Sequence, residues 1–359
     1  MARREDIMKI WQESFSDSRA YVAMFFDKIY RDDEALTAQD PQGATVSSLL
    51  LRRYAMTFQG TSLPVSYIMG AATRRSQRGK GYMSELITRA LRESAARGDM
   101  LCTLIPSSSA LYYFYARYGF STVFFVKEQR FTSAHMFPVR QEFGLADQAG
   151  PDELWEAFDR LQHMRPCYIT HTRLQFENIL ADLEADGGTF AAITADDEDR
   201  GPHIAAMAWG VPAPDLLTVS DVMGETPEAR TAALRRLREL HPGLPVLVYG
   251  RPTDTTGGRL IPRGMARIVN VSLLLSAVAE AHPEMKAKLR VTDRLLPEIN
   301  SHTFVIRDGV CTVDDSTPRQ ALDFDVTSDV LADIAFSSAR AGEILRFPSV
   351  RPMISLMLD

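Results

Sequence analysis

Apolar residues recur near helical spacing over the first thirty positions: Ile7, Ile10, Trp11, Phe15, Tyr21, Phe25, Phe26 and Ile29. The spacing predicts helix over 4–30, broken around Ser16-Asp17-Ser18. Strand-like runs follow at 47–51, 53–59 and 65–73, separated by turn residues that include Gly60-Thr61-Ser62 and Pro64. Over 82–96 the pattern is helical again. Met83, Leu86, Ile87, Ala90 and Leu91 share one stripe, while Glu85, Arg89, Arg92 and Glu93 face away. Gly98 is placed to end that helix. A buried strand at 100–105, a short aromatic helix around 111–118 and a strand at 120–130 complete the first region.

From about Ser133 the order restarts. Helices are predicted at 151–164 and 172–185, strands at 189–194, 204–211 and 216–222, then a helix at 226–240 and a strand at 245–249. Gly257, Gly258 and Gly264 stand among Pro252, Pro262 and a threonine run, which reads as an interdomain turn and not as a phosphate loop. The last region begins near Ala266. It holds a strand, an apolar helix at 271–281, strands at 287–292, 302–307 and 310–314, and helices at 329–338 and 341–345. Val350, Met353, Ile354, Leu356, Met357 and Leu358 make the tail 347–359 apolar, so it is expected to pack against the protein.

Three regions suit a chain of 359 residues, which is too long for one core. Acidic residues exceed basic ones, 46 to 40, for a formal charge of −6. That balance argues against a general nucleic-acid binder, which needs a basic surface. Cys102, Cys167 and Cys311 are isolated, and the seven histidines have no metal-ligand spacing, so neither a disulfide framework nor a metal is expected. No segment has the length of apolar sequence, about 18 residues, that spans a membrane, and the N-terminus lacks a secretion signal's apolar core. A cytoplasmic protein without a membrane partner is the expectation.

The chemistry concentrates at one junction. The strand ending Ala71-Ala72-Thr73 runs through Arg74, Arg75 and Arg78 into Gly79-Lys80-Gly81, and a helix opens at Tyr82-Met83-Ser84. Gly79 and Gly81 permit backbone angles that other residues resist, and a helix start offers unpaired N–H groups and partial positive charge. A diphosphate suits that geometry. Arg78-x-x-Gly81-x-Met83 resembles the Arg/Gln-x-x-Gly-x-Gly/Ala acetyl-CoA motif of the GNAT N-acetyltransferase superfamily. Met83 departs from the final Gly/Ala and is similar to the branch typified by the Eis (enhanced intracellular survival) acetyltransferases. In the last region, residues 267–271 and 289–293 resemble strands of a sterol-carrier-protein domain.

The resemblance implies an α+β architecture: a GNAT acetyl-CoA domain at 1–131, a degenerate GNAT-like domain at 132–263, and a sterol-carrier-like α/β domain at 264–359. It implies acetyl-CoA as co-substrate, held by Ala71, Ala72, Thr73, Arg78, Gly79, Lys80, Gly81, Tyr82, Met83 and Ser84. The acceptor would be a small-molecule amine or a lysine side chain, and related proteins often form homo-oligomers. Tyr115 lies four residues before Gly119-Phe120, where the superfamily commonly places a tyrosine acid. Tyr112, Tyr113 and Tyr118 read as packing aromatics. Eis-type enzymes use the carboxylate of the last residue, carried by a buried tail returning to the active site, as base. Asp359 is that candidate. The competing reading is a non-catalytic CoA- or lipid-binding protein on the same domains.

Overall fold

The computed structural model describes residues 2–197, 201–255 and 257–358. They divide into two compact units, residues 2–124 with 263–352 and residues 125–262 with 353–358. The third region of the sequence therefore shares a unit with the first.

In the first unit a hairpin sets the sheet. Thr45–Phe58 and Thr61–Thr73 pair antiparallel with Phe58 opposite Thr61, so the turn is the two residues Gln59 and Gly60. Both have positive φ, 51° and 80°, as a type I′ hairpin turn demands. Ala35–Gln39 adds antiparallel on the outer side of Thr45–Phe58. Leu101–Leu104 adds parallel to Thr61–Thr73, and the connection is the helix Tyr82–Ala96. Residues 265–268 then pair antiparallel with Leu101–Leu104.

The helix Tyr82–Ala96 lays the predicted stripe on this sheet: Leu86, Ile87, Ala90 and Leu91 are fully buried among Leu36, Leu49, Leu51, Ile68 and Leu104. Its far end is fixed by a polar knot. Arg97 pairs with Asp99 at 2.9 Å and donates to Ser66 at 2.8 Å, and Ser66 and Ser94 lie 2.7 Å apart. The N-terminal segment is shorter-stepped than its spacing predicts. Ala2–Ser14 and Arg19–Met24 are separate helices, and Phe25–Ile29 is a wide π-type turn closed by Tyr30 N–H to Phe25 O at 2.9 Å. The break exists because Ser18 caps the second helix.

Residues 263–352 add a four-stranded sheet in the order Val310–Val313, Thr303–Arg307, Ala287–Thr292, Phe324–Thr327, the last pair parallel. The apolar helix Val271–Ala281 buries Leu274, Leu275 and Val278. Arg267 and Ile268 are not in this sheet. They belong to the strand Arg259–Ile268, paired with Leu101–Leu104, and that strand occupies part of the stretch read as an interdomain turn.

The second unit repeats the first unit's order. Thr189–Asp197, Gly201–Pro212 and Leu217–Gly224 form an antiparallel meander, the helix Pro227–Leu240 crosses over, and Val246–Gly250 returns parallel to Leu217–Gly224. Residues 127–131 close this side antiparallel to Val246–Gly250. Helices Pro151–His163 and Arg173–Ala185 cover it through Phe158, Leu161, Phe176 and Ile179. The apolar tail packs as expected: Met353, Ile354 and Met357 are buried, and Met353, Leu356 and Leu358 join this cluster.

Candidate active site

The strand Thr61–Thr73 does not run straight into the glycine turn. Ser48 pairs with Ala72 and Leu50 with Met69, so Gly70 and Ala71 together face only Leu49. This bulge bends the strand and takes its extra residue out of the ladder. Beyond it, Ala72 is buried and its carbonyl accepts from Ser47 Oγ at 3.1 Å, while Thr73 Oγ1 lies 2.8 Å from the same hydroxyl. Ala71 is half-buried against the core under the helix.

Arg75–Gln77 makes a single tight turn, and Arg78 Nε donates back to Thr73 O at 3.1 Å. Lys80 Nζ donates to Gln77 at 2.8 Å. Arg78, Gly79, Lys80 and Gly81 are all exposed. Gly81 is the residue preceding the helix, at φ 92°, ψ −8°, and no side chain caps the helix start. A Cβ on Gly79 or Gly81 would meet nothing within 4 Å, so backbone angle, not crowding, requires glycine there, and space lies open beside the turn. The first intrahelical bond is Glu85 N–H to Gly81 O at 3.1 Å, so the amides of Tyr82, Met83 and Ser84 precede it and are left to an outside acceptor.

The corresponding turn of the second unit is closed by its own residues. Thr226 Oγ1 accepts from Ala229 N–H at 3.0 Å, and Pro227 removes a further donor from the first helical turn. Of the two crossover helix starts, the first lacks a side-chain cap and the second has one.

Tyr115 sits on the helix Ser109–Ala116, 6% exposed, between Phe114 and Phe120 at ring distances of 5.2 and 5.8 Å. Burial, with buried Cys102 adding to it, pushes its phenol up to about 12, so it holds its proton throughout the neutral range. Tyr82, Met83, Tyr112, Phe114 and Tyr118 all pack on the cluster that contains Tyr115. Met83 thus has a packing role at the position where the motif allows Gly or Ala. The aromatic turn and the glycine turn are also tied directly, because Tyr118 Oη donates to Ser84 Oγ at 2.6 Å. Tyr118 is more than the packing aromatic its position indicated. Tyr113, by contrast, is 81% exposed, which corrects its reading as a packing aromatic.

Beneath the turn that follows Tyr115 lies an ion pair that sequence reasoning did not find. Arg267 donates through Nε to Tyr118 O at 3.0 Å, through Nη1 to Ser328 Oγ at 2.7 Å, and through Nη2 to Asp293 at 2.5 Å. Both charged residues are buried. Burial works to raise the Asp293 carboxyl, but the Arg267 guanidinium and Asn300 outweigh it and hold it below the usual carboxylate range. A Cβ on Gly119 would stand 2.8 Å from Arg267 Nε, so the Gly-Phe pair was the only sequence signal for this contact. Asp359, the candidate base, lies outside the described residues. Among those described, no group of three or more His, Cys, Asp and Glu side chains converges as metal ligands do.

Residues 2–123 match the acetyltransferase (GNAT) domain family. That match covers the meander, the glycine turn and the tyrosine helix. No curated protein sequence matches the chain. Among solved structures, Eis1 from Mycobacterium abscessus is similar at 16% identity and a TM-score of 0.73, covering 98% of this chain and 97% of that one. A probable N-acyltransferase from Enterococcus faecalis, described as a conserved protein of unknown function, gives 16% identity and 0.77, covering 99% and 97%. A GCN5-related N-acetyltransferase from Anabaena variabilis gives 15% and 0.76 at the same coverage. At such identities the likeness is one of fold, and it extends over the whole chain.

Proposed function

We propose that the protein is an acetyl-CoA-dependent N-acetyltransferase that moves an acetyl group directly to a primary amine, a small molecule or a lysine side chain. The reading is carried by one observation: the helix that opens at the uncapped glycine turn is bound, through Ser84 and Tyr118, to the turn that follows the helix holding a protonated, buried Tyr115. Acetyl-CoA supplies a thioester, an acyl carbon open to attack by a neutral amine. The amides from Gly79 to Ser84, with Arg78 and Lys80 beside them, receive the diphosphate, and the strand end Ala71–Thr73, which lies past the last pairing of its strand with Leu101–Leu104 at Tyr67, receives the pantetheine arm. Tyr115 gives its proton to the departing sulfur. A high phenol pKa suits that task, because a thiolate leaving into the same dry surroundings loses hydration and becomes more basic with it.

A carboxylate of Asp359 is the proposed base, taking the proton that the attacking amine sheds. A variant carrying a further residue after Asp359 is expected to bind acetyl-CoA without turnover, and full activity there rejects this base. We read the chain as three domains, 1–131, 132–263 and a sterol-carrier-like 264–359, working in a reducing cytoplasm where Cys102, Cys167 and Cys311 stay free. The direct test is Tyr115→Phe assayed by thiol release across a panel of amines. It is expected to lose about 10²–10⁴-fold in kcat with acetyl-CoA binding unchanged. Equal kcat removes Tyr115 from the mechanism. Wild-type binding without thiol release for any amine favours the binding-protein reading instead.

A further inference from the structure

A serine or threonine inside a helix commonly turns its hydroxyl back onto the carbonyl one turn earlier. Thr88 does so, donating to Ser84 O at 2.9 Å. Ser84 itself is the third residue of the helix Tyr82–Ala96, so the carbonyl four residues before it is that of Lys80, outside the helix. Its hydroxyl takes another course. Ser84 Oγ accepts from Tyr118 Oη at 2.6 Å, and among the described residues the Ser84 proton meets no acceptor.

The donor in that bond is itself held on several sides. Tyr118 N–H donates to Tyr115 O at 2.9 Å, Tyr118 O accepts from Arg267 Nε at 3.0 Å, and the Tyr118 ring lies 5.4 Å from that of Phe114. Arg267 is fixed in turn by buried Asp293. A serine side chain left to itself has three staggered rotamers to choose from, and a phenol with a fixed ring and backbone selects one. A hydroxyl has one proton and two lone pairs, so Ser84 can accept from Tyr118 and still donate. Accepting a bond also polarises its O–H and makes it a stronger donor. Its neighbours at the helix start are donors as well: the amides of Tyr82, Met83 and Ser84 precede the first intrahelical bond, and Arg78 and Lys80 bring positive charge. A group that only accepts, as a diphosphate does, is what such a set has in common.

We propose that Tyr118 is a positioning residue for the cofactor: its hydroxyl, bound to Ser84 Oγ, turns the Ser84 proton toward the diphosphate and so adds a side-chain donor to the backbone amides of the glycine turn. This rests on the acetyl-CoA reading above. The Tyr118 hydroxyl has a purpose on this account that packing does not give it, since a phenylalanine would fill the same space. One residue then touches both ends of the site, with its hydroxyl on the helix that meets the diphosphate and its N–H on the carbonyl of Tyr115.

The test is a double-mutant cycle in the full chain, read by titration calorimetry with CoA. Tyr118→Phe keeps the ring and removes only the hydroxyl, and Ser84→Ala removes the donor that the hydroxyl positions. Each is expected to weaken CoA binding about tenfold. Both act on one proton, so the double variant is expected to bind no more weakly than Ser84→Ala alone. Ser84→Thr, which retains the hydroxyl, is expected to restore the affinity, and a threonine variant as weak as the alanine one overturns the proposal. Unchanged affinity in Tyr118→Phe overturns it too. So does a loss from Tyr118→Phe that is equally large when Ser84 is already alanine, because the phenol then acts by another route. A wild-type protein that takes up no CoA sinks the cofactor reading and the role of Tyr118 together, whereas wild-type binding with an additive cycle sinks only the role of Tyr118.

Discussion

His171 shows how far burial moves a single group. It is enclosed beside Tyr168, Asp221, Arg165 and the tail carbonyl of Leu356, and burial depresses its imidazole to about 4 against the Leu356 bond and the Asp221 charge. The folded protein keeps it neutral at pH 6, whereas the unfolded chain takes up a proton below about 6.5. The unfolded state therefore binds more protons between those values. The stability this group contributes is complete above pH 6.5 and falls as pH drops toward 4, by roughly 3 kcal/mol in all. Urea unfolding at pH 7.5 and pH 5 measures it, and His171→Gln is expected to flatten its share of the slope. An identical slope in both proteins contradicts the assignment. None of this was legible in the sequence, where His171 has no partner spacing. Gly79 and Gly81 were legible, because a positive φ at a helix start admits few other residues.

At the scale of elements, what the chain announces is periodicity. The helix Tyr82–Ala96 has the predicted bounds because its stripe faces one sheet and Gly98 follows. Thr45–Phe58 reads as two runs, 47–51 and 53–59, because Arg52 interrupts it. It is one strand because Arg52 is buried and pairs with Glu34 at 2.8 Å. Ala35–Gln39 and Phe324–Thr327 are short strands that the apolar pattern does not announce. The Arg267–Asp293 pair joins elements 26 residues apart and carries no spacing signal at all. Its contribution is testable. Asp293→Ala leaves a buried guanidinium without its charge partner and is expected to cost about 3–5 kcal/mol by denaturant unfolding. It should also lower kcat, since Arg267 supports the Tyr118 carbonyl that follows Tyr115. A loss under about 1 kcal/mol contradicts the role given to this pair.

Across the molecule, the same meander, crossover helix and parallel strand occur twice, and chemistry distinguishes the copies. Thr226 and Pro227 close the second helix start from within, while Gly81 leaves the first open beside Arg78 and Lys80 in a chain whose overall charge is −6. The repeat was visible in the order of predicted elements. The difference between the two helix starts became visible with the caps. Everything proposed for function depends on that open turn receiving the diphosphate of acetyl-CoA. Titration calorimetry of acetyl-CoA into the intact protein, beside Gly81→Leu, tests it most directly. A Cβ there meets no atom within 4 Å, but a non-glycine residue strains the φ of 92°, by about 1–2 kcal/mol, so the fold should survive while the turn distorts. A saturable heat in the wild type, with affinity weakened about tenfold or more in Gly81→Leu, is the predicted result. No heat in the wild type, or equal affinity in the two proteins, contradicts it.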